Sequence, residues 1–403
     1  MKWWPVTLVA AMIVGCSDAE RTNELPHMPS HDADTPAPFG PPRTSANIFY
    51  SGHSLMDRPL PDFVQAIARS LDTPTQWNRQ YIVGSSIQRR TQGADPSLPG
   101  WHGYQDGYNR DGEGLDVVAE LRAPHTIDGS YDVLVITEEH TMLDTLINGD
   151  TIRHLRHYHD RFIEGNPAGT TYFYEPWFGH DDKSDPRRWI DYERAASRVW
   201  QCMATRVNIS LEAEGRSDRI ISLPAGAALA ALVERATQEP GMPSLTRASV
   251  LETVDSLMPD GVHLTALGSY YMSLVTYAAI YRRSPQGAWW PEGVDQAQAS
   301  MLQAFAWQFV SDYYQHYRPL SLEQCRAQLS RSAGIAPLWS YIRDAYWRKD
   351  VGAVHSYVRY LRRLVGSRRL FNLHSAANPF YFDPETDKTY WHAAPTDSAR
   401  TID

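Results

Sequence analysis

From about Ala46 onward, short apolar runs alternate with longer stretches of helical period. Ile48-Phe49-Tyr50, Gln80 to Val83, Tyr131 to Ile136, Thr170 to Tyr174 and Ile220 to Leu223 read as strands. Between and after them lie predicted helices. Pro59 to Leu71 repeats Phe63, Ile67 and Leu71 on one face, with a proline suited to the first turn. Asp150 to Glu164, Ile190 to Glu214, Gly226 to Thr237 and Thr265 to Arg282 follow the same logic. Strands and helices in this alternation build βαβ units, and hence a mostly parallel sheet covered on both faces: a three-layer α/β/α domain over residues 46–283. Ligands of such sheets sit at the carboxyl ends of the strands. Ser54, Gly84, Glu138 and Trp177 all fall just past predicted strand ends.

The flanking segments have a different character. Gly93 to Gly114 holds six glycines, Trp101, two tyrosines and several acids with little periodicity, and reads as a long loop on the side of the strand ends. Ser284 to Pro291 is a linker, residues 294–370 form a helical, aromatic C-terminal region without evident chemistry, and residues 371–403 are an irregular tail. At the other end, Lys2, the apolar run Val6 to Val14 and Ile13-Val14-Gly15-Cys16 make an export signal over residues 1–16, too short to span a bilayer. It resembles a bacterial lipoprotein signal, which implies lipidation of Cys16 and a lipid-anchored protein of the cell envelope. Ser17 after the cysteine implies the outer membrane, facing the periplasm. Residues 17–45, rich in Pro, Asp, Thr, Ser and His, are expected to be a disordered tether.

Composition narrows the partners. A net charge of −9 argues against nucleic acid. Thirteen Trp and twenty-two Tyr are a heavy aromatic load, in part core and in part rings of the kind that stack on sugars. With Cys16 lipidated, Cys202 and Cys325 remain, and they are either paired or buried free thiols. His154 and His157 share a helix face but His159 does not, and no cysteine is near, so a solvated face accounts for them better than a metal. The run Arg359, Arg362, Arg363, Arg368, Arg369 is either a solvated face or, on a tethered protein, a surface against anionic head groups.

The chemistry concentrates at two places. Ser51-Gly52-His53-Ser54-Leu55 sets a serine at a Gly-flanked turn after the first strand, and Asp260-Gly261-Val262-His263 comes before the last helix of the domain. A serine hydroxyl needs an imidazole to take its proton, and the imidazole an acceptor to orient it. Each is also compatible with helix capping. Together with Gly84 these blocks resemble the SGNH, or GDSL-like, serine hydrolase superfamily, with His53 in place of the usual Asp. The resemblance covers about residues 46–283 and implies a flavodoxin-like fold. By that resemblance Ser54 is the nucleophile, His263 the general base and acid, and Asp260 its orienter. The oxyanion hole is built from the Ser54 and Gly84 amides, and no cofactor or metal is involved.

One block departs from the pattern. The family's third oxyanion donor, an asparagine after the third strand, is replaced here by Thr137-Glu138-Glu139-His140. Some members carry Gln or Glu there. Glu138, Thr137 and His140 are therefore candidate substrate contacts, and losing a donor outright costs about 10²–10³ in rate. Trp177 and Trp101 are candidate sugar-stacking rings or, equally, rim aromatics. The expected function is hydrolysis of O-acyl, in particular O-acetyl, esters on an envelope glycan through an acyl-enzyme. Acyl transfer between sugars by the same triad, and a non-catalytic glycan-binding lipoprotein, are the alternatives.

Overall fold

The computed structural model describes residues 40–95 and 97–392. The export signal, Cys16 and most of the expected tether lie outside the described residues, as does the end of the tail. By Gly40 to Ser45 the chain is already held: the Arg43 guanidinium donates to Thr170 Oγ1 at 2.8 Å, and its amide bonds to the carbonyl of Tyr281.

Five parallel strands form the sheet: β1 (Ala46–Gly52), β2 (Thr75–Tyr81), β3 (Val133–Thr137), β4 (Thr170–Tyr174) and β5 (Ile220–Leu223), in the order β2-β1-β3-β4-β5. β1 and β3 at the centre are buried almost throughout, as expected of strands covered on both faces. The chain steps one way from β1 to β2 and the other way from β3 to β5, so right-handed crossovers place their helices on opposite faces. The helix Leu60–Ser70 packs with Ala266–Tyr281, and Thr151–Gly165 packs with Arg187–Ala213. This is the doubly wound order, with its switch point between β1 and β3. In sheets of this order ligands bind beyond the carboxyl ends of the strands at that point.

The expected second strand, Gln80 to Val83, is corrected to Thr75–Tyr81. Apart from Trp77, its buried interior residues are polar, and each finds a partner. Asn78 donates to Glu120, Arg79 pairs with Asp57, and Gln80 Nε2 donates to the carbonyls of Arg90, Gly103 and Asp106. A strand satisfied in this way, with Trp77 alone on the apolar side, carries no run of apolar residues.

The C-terminal region is helical as expected, through Gln296–His316, Leu322–Ser330, Ser332–Ile342 and Arg348–Asn372. Cys202 and Cys325 are disulfide-bonded, tying Arg187–Ala213 to Leu322–Ser330 across 123 residues. In the chain-entropy account a loop of that length is worth about 5 kcal/mol. The tail is more ordered than expected: Pro384–Tyr390 is a helix, Asp387 pairs with the buried Arg206 at 2.7 Å, and Trp391 Nε1 donates to Ser210 at 3.0 Å.

Candidate active site

After β1 the chain turns through a short 3₁₀ segment, Ser54–Met56, which sets Ser54 just past the carboxyl end of the strand. His53 makes that turn. Its Nδ1 accepts from the Leu55 amide at 3.5 Å and its Nε2 donates to the Glu138 carbonyl at 2.9 Å. Burial, and then the charge of Arg90, push its pKa down to about 3, so the ring is neutral and carries its proton on Nε2. His53 thereby ties the Ser54 turn to the end of β3.

The second half comes from the loop before Ala266–Tyr281, whose first turn is capped by Thr265. Gly261 sits at φ +87°, a region that suits glycine, and this lets four residues present both Asp260 and His263. Two contacts from the chain after β4 hold the loop in place. Trp177 Nε1 donates to the Val262 carbonyl at 2.7 Å, and the His180 amide to the Gly261 carbonyl at 3.0 Å.

The two halves meet. His263 Nε2 lies 3.1 Å from Ser54 Oγ, and His263 Nδ1 lies 2.6 Å from Asp260 Oδ2. Asp260 Oδ1 accepts from the amides of Val262 and His263 at 3.0 and 2.7 Å. Partial burial works against the Asp260 charge, but these amides and the His263 ring outweigh it and hold the carboxyl below the usual carboxylate range. A carboxylate, an imidazole and a hydroxyl in series can draw the serine proton onto Nε2 while the carboxylate fixes the ring.

Gly84, at φ +58°, faces open space three residues past β2. The Ile82 amide bonds to the Gly52 carbonyl at 3.2 Å, which brings this loop beside the Ser54 turn. Among the described residues neither the Ser54 nor the Gly84 amide is taken by a protein acceptor, as donors awaiting an oxyanion must be.

The candidates after β3 divide. Glu138 is a correction to the expected substrate contact: it is fully buried, accepting from the amides of Ile87 and Glu139 at 2.8 and 2.7 Å and from Thr151 Oγ1 at 2.7 Å. Burial raises its pKa against the pull of Arg90. It knits the loops after β2 and β3 together and has no exposed face. Thr137 is buried too, its hydroxyl spent on the Glu138 carbonyl. His140 alone is partly open. It lies within electrostatic reach of His263, and its Nε2 is 3.2 Å from the hydroxyl of Tyr346.

The aromatic candidates are corrected as well. Trp177 is fully buried, and what it does is pin the Val262 carbonyl. Trp101 lies stacked on His157 at 3.5 Å, on the helix Thr151–Gly165. That helix carries no solvated histidine face: His154, His157 and His159 are all buried. They bond to Thr91, Tyr104 and Thr171 at 2.7, 2.8 and 2.8 Å, and His159 also to Asp218.

Two supports escaped the sequence reading. Arg90 is fully buried beneath the site; burial lowers its pKa only to about 10, so it stays charged. It donates to Ser51 Oγ, to Ser85 and to the Thr137 carbonyl, joining the ends of β1 and β3 to the Gly84 loop. Tyr346, together with Tyr341 bonded to the Gly179 carbonyl at 2.8 Å, brings the C-terminal region to the rim. Neither residue stands in a motif, and nothing in the local sequence around Arg90 or Tyr346 singles it out.

No family model matches the chain, and no curated protein does. Among solved structures, a DUF4886 family protein from Bacteroides uniformis is similar at 14% identity and a TM-score of 0.45, over 68% of this chain and 98% of that one. What stands on the protein's own structure is an α/β domain with a five-stranded all-parallel sheet, extended by C-terminal helices.

Proposed function

We propose that the protein is a serine-dependent carboxylic ester hydrolase of the SGNH type, and that it removes O-acyl groups, acetyl foremost, from a cell-envelope glycan. The observation that carries this reading is the series Ser54–His263–Asp260, with contacts of 3.1 and 2.6 Å, beside the unengaged amides of Ser54 and Gly84. Ser54 Oγ attacks the ester carbonyl carbon as His263 Nε2 takes its proton. The carbonyl oxygen becomes an oxyanion facing the two amides. Collapse breaks the bond to the alcohol oxygen, which leaves with the proton from His263, and the acyl group stays on Ser54. Water, deprotonated by His263, then releases the acid.

Hydrolysis fits better than transfer. The His263 and Asp260 side chains are 52% and 54% exposed, so water reaches the acyl-enzyme freely. An open rim also suits an acyl group projecting from a polymer. With Trp177 and Trp101 turned elsewhere, the glycan rests on the envelope address implied by residues 1–16 rather than on stacking rings. A fluorophosphonate probe is expected to label the protein at neutral pH and to fail on Ser54→Ala; wild-type protein that stays unlabelled refutes the hydrolase. Acetate released from an O-acetylated glycan then tests the substrate class.

A further inference from the structure

The helix Arg348–Asn372 carries an apolar stripe on its outer side. Gly352, at φ 75°, interrupts it, and the continuous run starts at Ala353. The face turned to the protein includes small hydroxyls: Ser356 and Ser367 are buried, and Ser367 accepts from Trp339 Nε1 at 3.0 Å. Leu364, Leu370 and Phe371 pack against the core, but a second set of branched aliphatics lies outside. Val354, Val358, Leu361 and Val365, spaced to fall on one side, are 75%, 42%, 43% and 47% exposed, with Tyr357 beside them at 52%. Most of the large exposed apolar side chains of the described residues gather on this helix and its ends. A stripe of this kind marks a surface that is covered in use.

Charge identifies what covers it. The helix holds Arg348, Lys349 and five arginines from 359 to 369 against one acid, Asp350, in a chain of net charge −9. Arg363 pairs with Asp144 at 3.2 Å and Arg359 lies over Trp347 at 4.4 Å. Arg362 and Arg369 make no ion pair among the described residues, and helical geometry puts them on the border of the stripe. On the other border Arg368 lines a surface cleft of about 540 Å³ with Arg326, Arg331, His374 and a lone carboxylate, Glu323. A second copy of this helix would set arginines against arginines with no acids between them. An anionic bilayer surface meets both demands, taking the aliphatics into its interface and the guanidinium groups among its head groups.

We propose that this helix is a membrane-docking face for anionic lipid, separate from the triad and independent of its chemistry. No helix of the described residues is long and apolar enough to cross a membrane, so the face would lie on the bilayer. The test uses the chain without residues 1–16, so that neither the apolar leader nor an acyl anchor contributes, with vesicles of phosphatidylcholine alone or mixed with phosphatidylglycerol. Wild-type background protein should sediment with the anionic vesicles and at least about tenfold less with the neutral ones. Val358→Asp/Leu361→Asp and Arg362→Glu/Arg369→Glu should each lose about tenfold or more, with unchanged circular dichroism and melting. Equal binding to both vesicles, or full binding by either double variant, overturns the proposal. So does a wild type that ignores vesicles, including one whose self-association is abolished by Val358→Asp/Leu361→Asp.

Discussion

Histidine appears in this chain in two settings that look alike as sequence. His263 stands on an open rim between a carboxylate and a hydroxyl, and its side chain is 52% exposed. His154, His157 and His159 crowd one helix turn by turn and are sealed inside the protein. Burial lowers the pKa of His154 to about 4 and that of His157 to about 2, and it lowers that of His159 as well. The second group is richer in imidazole, yet it is closed off from solvent. Reactivity follows from access and from a partner that exchanges a proton, rather than from the number of ligating side chains.

Removing each kind of histidine in turn separates the two settings. His263→Ala should reduce ester hydrolysis by about 10⁴-fold or more, and Asp260→Asn by a comparable factor through the wrong tautomer. Both side chains are half in solvent, so the melting temperature should hardly move. Rates within tenfold of wild type in either variant would leave the rim histidine no more catalytic than the buried ones.

A smaller effect belongs to the buried set. In the unfolded chain His154 takes up a proton as the pH falls below 6.5; in the folded protein it does so only near 4. The unfolded state therefore binds more protons in that window. The contribution to stability is complete above pH 6.5 and is lost as the pH falls toward about 4, by something on the order of 3 kcal/mol. Urea unfolding followed from neutral pH to pH 4 should show a shallower decline for His154→Gln than for wild type. Parallel curves would mean that this ring is not held neutral by burial.

The same contrast shows what the chain discloses of itself. Alternating apolar runs marked four of the five strands, because a parallel sheet buried on both faces leaves a plain record. β2 was located late, since its polar side chains are satisfied by particular partners such as Glu120 and Asp57 that no local pattern reveals. Ser54, Asp260 and His263 stood out because a strand end and a helix start bring spaced residues to one rim. Glu138 and Trp177 occupied the same kind of position and turned inward. Whether a side chain past a strand end faces outward or toward the loops beneath it depends on contacts made by distant residues: Ile87 and Thr151 for Glu138, Val262 for Trp177. The pairing of Cys202 with Cys325 is of the same kind, a meeting across 123 residues.

Trp101 offers the finest discrimination, because it sits on the buried-histidine side while having been a candidate for the substrate side. Its ring lies 3.5 Å from His157 at an interplanar angle of 14°, with Arg153 over it at 5.5 Å. Removing it exposes the His157 ring and forfeits stacking and partly buried apolar area, a loss of about 1–3 kcal/mol in stability. Nothing in those contacts involves Ser54 or His263. Trp101→Ala should therefore lower the melting temperature while leaving kcat and KM for an acetylated glycan within about twofold of wild type. A sugar-stacking ring behaves the opposite way, because sugar–aromatic contacts act only when ligand is bound: KM would rise about tenfold and the melting temperature of the free protein would stay put. Kinetics and a melt on one variant thus decide which side of the molecule the ring serves.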